Sequence, residues 1–201
     1  GAAGENVREV ACHVARDLVE LLAWNGRTAE GLVVLQGIEP LLSEQEALHG
    51  AAAADRLRAF LLPARARFAM MLGDRSAALR DFGAHREALA KQIEHGERGA
   101  MRALSAIEEQ LASLCEEQGD SEAAETCYRS ALRHAEAALP ADELPNRERF
   151  AAAAQALGLF VGRRGDLTEG ILLLQRGHRL LTSHESFDPD DVQCERVVAR
   201  L

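Results

Sequence analysis

Histidines, cysteines and paired carboxylates are the residues of this chain best suited to chemistry, and their spacing decides what they can do. The seven histidines are His13, His49, His85, His95, His134, His178 and His184. No two stand at the His-Glu-x-x-His spacing that sets two imidazoles on one helix face for zinc. Cys12, Cys115, Cys127 and Cys194 include no Cys-x-x-Cys pair. Buried thiols in a reducing, cytoplasmic setting are therefore expected, rather than a disulfide frame or a metal site. Glu108-Glu109 and Glu116-Glu117 are carboxylate clusters. Acid–base work would need a cleft that shifts their pKa values, and a solvated helix face is expected instead. Gly96-Glu97-Arg98-Gly99 has the wrong length for a phosphate loop and lacks a following Lys-Ser/Thr, and no Gly-x-Ser-x-Gly elbow occurs. The expectation is no enzyme, no catalytic residue, no metal and no cofactor.

The elements that position these residues are organised by a recurring turn. Asn25-Gly26-Arg27, Gly73-Asp74, Gly119-Asp120 and Gly165-Asp166 recur with a period of about 46 residues, the range of helical-repeat architectures. Five residues after each glycine comes a small residue (Gly31, Ala78, Ala124, Gly170), and nine after comes a large one (Leu35, Phe82, Tyr128, Leu174). Seven before stands Val19, Ala66, Ala112 or Gly158. Eight before stands Leu18, Leu111 or Leu157, with Arg65 the exception. A small residue lets two helix backbones approach, and the large one fills the space beside it. The glycine takes the left-handed conformation that ends a helix, and the Asp after it accepts amide hydrogens at the next helix start.

These residues resemble the tetratricopeptide repeat family, in a long-helix variant. The likeness runs from about Glu5 to Leu181 and is best over Leu111-Ala112, Cys115, Gly119-Asp120, Ala124, Tyr128 and Ala131-Leu132. The chain departs from the family in its longer period. It also carries Ala15, Leu62, Glu108 and Ala154 where the family has Trp, and Ser43, Ala90, Glu136 and Thr182 where it has Pro. The resemblance implies an all-α, right-handed solenoid of four helix-turn-helix repeats plus a C-terminal helix, as one domain over 1–201. The expected hairpins are 5–40, 43–96, 97–139 and 146–184, with the last helix at 188–201.

Local signals refine these boundaries. Val7, Val10, Val14, Leu18, Leu21 and Leu22 are expected to form the inner face of the first helix. Leu32, Leu35 and Ile38 do so for the second, which Pro40 closes. Ser43 and Glu46 read as a capping box, and Pro63 predicts a kink or break near Leu61–Pro63. Leu79, Phe82, Leu89 and Ile93 form the inner face of the fourth helix. The run from Leu139 to Asn146, with two prolines, predicts a loop. Gly1-Ala2-Ala3-Gly4 reads as a frayed end, and the chain as a possible piece of a larger protein.

Composition bounds the partners. The formal charge is −9 and aromatics are 4% of residues, which argues against nucleic acid or an anionic membrane as partner. No apolar run reaches membrane-spanning length and no signal peptide is expected. A protein or peptide ligand is expected. By the family resemblance, the groove-facing positions lie on the first helix of each hairpin, 13, 10, 6, 3 and 2 residues before the turn glycine. The candidates there are Arg16, Glu20 and Trp24 in the first repeat, Arg67, Met70 and Met71 in the second, Glu109 and Glu116 in the third, and Arg163 in the fourth. Met and Trp suit a partner's apolar side chains, and Arg forks onto a carboxylate. The family's known grip on a peptide C-terminus uses Lys and Asn, which these positions lack, so chaperone tails ending in Glu-Glu-Val-Asp are not expected. An interaction scaffold is the first reading. The alternatives are a sensory or regulatory segment, as occurs beside diguanylate cyclases and in LuxR-type regulators, and self-association as a homodimer.

Overall fold

The computed structural model describes residues 2–97, 99–139 and 143–183. Eight helices occupy them: α1 Ala2–Trp24, α2 Thr28–His49, α3 Ala51–Met71, α4 Arg75–Glu94, α5 Ala100–Glu117, α6 Ser121–Ala138, α7 Leu144–Arg163 and α8 Leu167–Thr182. No strand occurs among the described residues, so the expected all-α class holds. The helix expected at 188–201 lies outside them. The chain divides into two compact units, residues 1–88 and 89–201.

The four repeated glycines do the same work. Gly26, Gly73, Gly119 and Gly165 have φ of 68°, 77°, 81° and 105°, the left-handed region that favours glycine. At Gly119 the amides of Gly119 and Asp120 donate to the carbonyls of Glu116 and Cys115, at 3.0 and 2.9 Å, the Schellman ending of a helix. The following Asp then starts the next helix. Asp74, Asp120 and Asp166 accept from the amides of Ala77, Ala123 and Glu169 at 2.9, 3.0 and 2.9 Å. The first repeat has Arg27 there, and its side chain makes no capping hydrogen bond.

In the second unit α5 packs on α6 and α7 on α8, and α7 also lies against α5 and α6. Ala112, Ala124, Tyr128, Leu157, Phe160 and Val161 form one buried cluster, and Ala131, Ala135, Phe150, Ala153 and Ala154 another. The small residues bring the backbones together. A Cβ on Gly170 would stand 2.7 Å from the carbonyl oxygen of Gly158, closer than any methyl can sit. The expected loop begins at Leu139 as read from the sequence and ends sooner than its second proline suggested. α6 runs to Ala138, and α7 starts at Leu144 with Pro145 in its first turn, where a missing N–H costs nothing.

In the first unit α1, α2 and α3 pack on one another, and several expectations need correction. The helix face of α1 is misplaced by one step. Leu22 is buried as expected, but its buried companions are Cys12, Ala15 and Val19, whereas Val10, Val14, Leu18 and Leu21 are 41–60% exposed. The buried stripe holds the smaller side chains, and these let α2 and α3 close on α1; Val7's side chain lies outside the described ones. Pro40 does not end α2, which continues to His49 with Ser43 inside it rather than at a cap. The helix turns instead at Gly50 (φ 82°), a single residue before α3. Pro63 likewise sits within an unbroken α3. An interior proline costs about 3 kcal/mol. Ile38 and Leu42 flank Pro40, and Leu61, Ala64 and Phe68 surround Pro63. All five are at most 5% exposed. Burying a side chain as large as Leu, Ile or Phe returns about 1.5–3 kcal/mol, so packing outweighs local propensity at both prolines. The frayed end expected at residues 1–4 is helical from Ala2.

α4 is tied to α3 by polar contacts within this unit. Arg65 donates to both carboxylate oxygens of Asp81, the shorter bond 2.9 Å. Nδ1 of His85 meets the carbonyl of Ala59 at 3.0 Å, and since a carbonyl only accepts, the proton is on Nδ1.

Candidate functional site

The first helices carry the candidate residues, and each unit has its own set. In the first unit Arg67 of α3 donates to Glu20 of α1 at 2.6 Å. Both residues stand six positions before a turn glycine, so the repeat itself sets them side by side. Arg16 pairs with its neighbour Asp17 at 2.6 Å and lies on the same helix. Beyond the pair, Trp24 is 88% exposed and Met71 46%, both two positions before their glycines, while Met70 is half-buried. Trp24 lies at the edge of a small hollow floored by Val19, Ala64 and Phe68 and bordered by Glu20 and Arg67. The hollow thus has an apolar floor, an open indole at its edge and the closed Arg67–Glu20 pair on its border.

In the second unit Glu116 joins two hairpins. It accepts from Arg163 of α7 at 2.6 Å and from the hydroxyl of Tyr128 of α6 at 3.1 Å. Burial and the Glu116 carboxylate push the Tyr128 hydroxyl far above its ordinary range, which keeps it a neutral donor. Glu109 pairs with Arg149 across the same two first helices, both half-buried. The candidates here are tied down. A largely exposed pair such as Arg163–Glu116 contributes about 0–1 kcal/mol, and both pairs join α5 to α7.

The sequence reading missed the partner Arg149 and the cross-helix pairs as a class. Arg67–Glu20 and Arg163–Glu116 are 47 residues apart, and Arg149–Glu109, Arg129–Glu169 and Arg176–Glu136 are 40 apart. Opposite charges near one repeat length apart were the signal that would have found them.

The chemistry-bearing residues are dispersed. Among the described residues, no three His, Cys, Asp or Glu side chains are grouped to hold a metal ion. Cys12 is buried, and burial pushes its thiol up, away from reactivity. Cys115 and Cys127 pack against the Tyr128–Phe160 cluster, and Cys194 lies outside the described residues. Also among these residues, no helix is long and apolar enough to cross a membrane. No family model matches the chain, and no curated protein matches it in sequence.

Proposed function

We propose that this chain is a helical-repeat scaffold that holds a peptide or helix of a protein partner along the first helices of its hairpins. In this reading the hairpins are successive turns of one right-handed stack, as the tetratricopeptide resemblance implies. The observation that carries it is Trp24: a large apolar side chain left 88% exposed, beside a hollow and in the repeat position that Met71 also occupies. Exposed aromatic and Met side chains beside an Arg are the anchors of protein recognition. Trp24 is the chain's sole tryptophan, so its emission reports on the site directly. Peptides selected from a display library against the intact chain are expected to shift that emission to the blue and to lose binding to Met71→Glu and Arg67→Glu. Selected peptides that bind both variants undiminished and leave the emission unmoved overturn the reading.

Self-association is the second reading, favoured by the exposed stripe Val10, Val14, Leu18 and Leu21 on α1, which is apolar enough to stack on another copy. Light scattering over a concentration series tests it, and a monomer at the highest concentration removes it.

A further inference from the structure

Two sets of three helices in this chain carry corresponding residues. In the first unit α2, α3 and α4 line one cleft; in the second α6 packs on α7 and α7 on α8. Counting from the turn glycines puts the two junctions in register. In the second unit the junction is filled. The Tyr128 and Phe160 rings lie with centroids 5.1 Å apart. Leu157 is buried, and Leu173 packs beside it. Arg129 bridges the rim to Glu169 at 2.8 Å, and the guanidinium of Arg164 stands 5.5 Å from the Phe160 centroid.

In the first unit the corresponding residues are smaller or polar. Leu35 stands for Tyr128, Arg65 for Leu157, Asp81 for Leu173, and Leu72 for Arg164; only Phe68 keeps the ring of Phe160. The rim residues Arg129 and Glu169 become Gln36 and Ala77. The junction is open as a result. A cleft of about 300 Å³ lies against Leu35, Phe68, Ala69 and Leu72, with Arg65 and Asp81 on its wall. The Phe68 ring lines the cleft and reaches over Gly31, where a Cβ would come within 2.1 Å of Cζ. The cleft falls within the size range of small-molecule pockets.

We propose that this cleft binds a small neutral aromatic molecule, one ring bearing a hydroxyl or a similar polar group. The ring takes the place that Tyr128 holds in the other junction and packs on Phe68, as Tyr128 packs on Phe160. The hydroxyl addresses the Arg65–Asp81 pair, which both donates and accepts where the second unit has only leucines. Neutrality follows from the charges present. Asp74 and Asp81 line the cleft with the single Arg65, and a chain of net charge −9 repels an anion, while Arg65 opposes a cation. The site shares Phe68 with the first-helix hollow but opens beside different residues, and its test does not depend on a peptide partner.

The test is a titration of the full chain with p-cresol, followed by methyl NMR of leucine-labelled protein. Saturable shifts are expected at Leu32, Leu35 and Leu72, with a Kd on the order of 1 mM for so small a ligand. 4-Methylcyclohexanol, 4-methylbenzoate and the peptide Gly-Tyr-Gly are expected to bind more weakly, because they lack the π face, the neutrality or the freedom to enter. Leu35→Tyr supplies the missing ring from within and is expected to abolish the shifts. Gln36→Arg with Ala77→Glu rebuilds the rim at the surface, without touching the floor, and is expected to weaken binding even where Leu35→Tyr fails to fold. No saturable response to p-cresol, tighter binding of the benzoate or the peptide, or a response unchanged in both variants overturns the proposal.

Discussion

The two units are built from the same repeat and differ in how completely their side chains meet. In the second, both hairpins start their second helix on an Asp cap, and α5 and α7 are cross-linked by Glu109–Arg149 and Glu116–Arg163. In the first, the leading hairpin has Arg27 in place of the capping Asp, and two helices carry internal prolines. The ion pair Arg65–Asp81 occupies what is an apolar contact in the other unit. Exposed large apolar side chains follow the same division. Val10, Val14, Leu18, Leu21, Trp24, Val33, Leu48, Met71 and Leu72 belong to the first unit, while Leu159, Leu167, Ile171 and Leu172 belong to the second. A repeat conserves its turn chemistry because the backbone demands it. The contents of the junctions are free to vary, and the variation leaves openings.

The largest effect should come from the tightest helix contact. Gly170→Ala drives a methyl to 2.7 Å from a carbonyl of α7, and backbone cannot yield without parting the helices. A loss of about 2–3 kcal/mol is expected by urea denaturation. Gly31→Ala makes a nominally worse contact, 2.1 Å, but with the tip of the Phe68 ring, which has the neighbouring cleft to turn into. It should cost less than Gly170→Ala and should block p-cresol. The reverse order of cost would break the comparison between a filled and an open junction.

Next comes the exchange of junction contents. Arg65→Leu with Asp81→Leu imports the Leu157–Leu173 pair into the first unit. Replacing a part-buried ion pair by packed apolar residues is neutral or stabilising by about 1–4 kcal/mol. Arg65→Leu alone should be destabilising, because Asp81, only 13% exposed at its side chain, loses its counter-charge. A double-mutant cycle in urea reads both effects, and a double variant less stable than either single one contradicts the correspondence. Smaller again is the missing cap. Arg27→Asp should stabilise the first hairpin, and Asp120→Ala should destabilise the third by a similar amount, about 1 kcal/mol. Protection of the α2 and α6 amides against hydrogen exchange separates the two.

What the sequence made legible follows from the range of the forces involved. The turns were legible because a left-handed glycine and an Asp cap are satisfied within five residues, and Gly26, Gly73, Gly119 and Gly165 behave alike. The inner faces of α6 and α8 followed from the same register. The prolines misled, because Pro40 and Pro63 are judged locally while Ile38, Leu42, Leu61 and Phe68 are held by other helices. The face of α1 misled because Val and Leu look like core, whereas helix approach selected Cys12, Ala15 and Val19. Arg65 was visible as the one break in an apolar column, and that break marks the open junction. The groove candidates were placed by analogy alone. Their pairing into Glu20–Arg67 and Glu116–Arg163 was legible only by comparing charges one repeat apart, 47 residues in each case.

The smallest expected effect concerns pH, and it tests whether the two units respond alike. Each holds one histidine whose pKa is lowered by burial: His85 in the first, further lowered by Arg67 and partly offset by the Ala59 carbonyl, and His134 in the second, further lowered by Arg133. A depressed pKa means that the unfolded chain, with histidine near its ordinary value of about 6.5, takes up the proton first. Stability from the neutral ring is therefore intact above that value and is lost as pH falls toward the folded-state pKa. His85→Gln keeps a donor for the Ala59 carbonyl and removes the titration. It should flatten the acid loss of hydrogen-exchange protection in α3 while leaving α6 acid-sensitive, and His134→Gln should do the opposite. If either substitution flattened both helices together, the units would unfold as one, and the contrast between them would lie in packing detail rather than in separate stability.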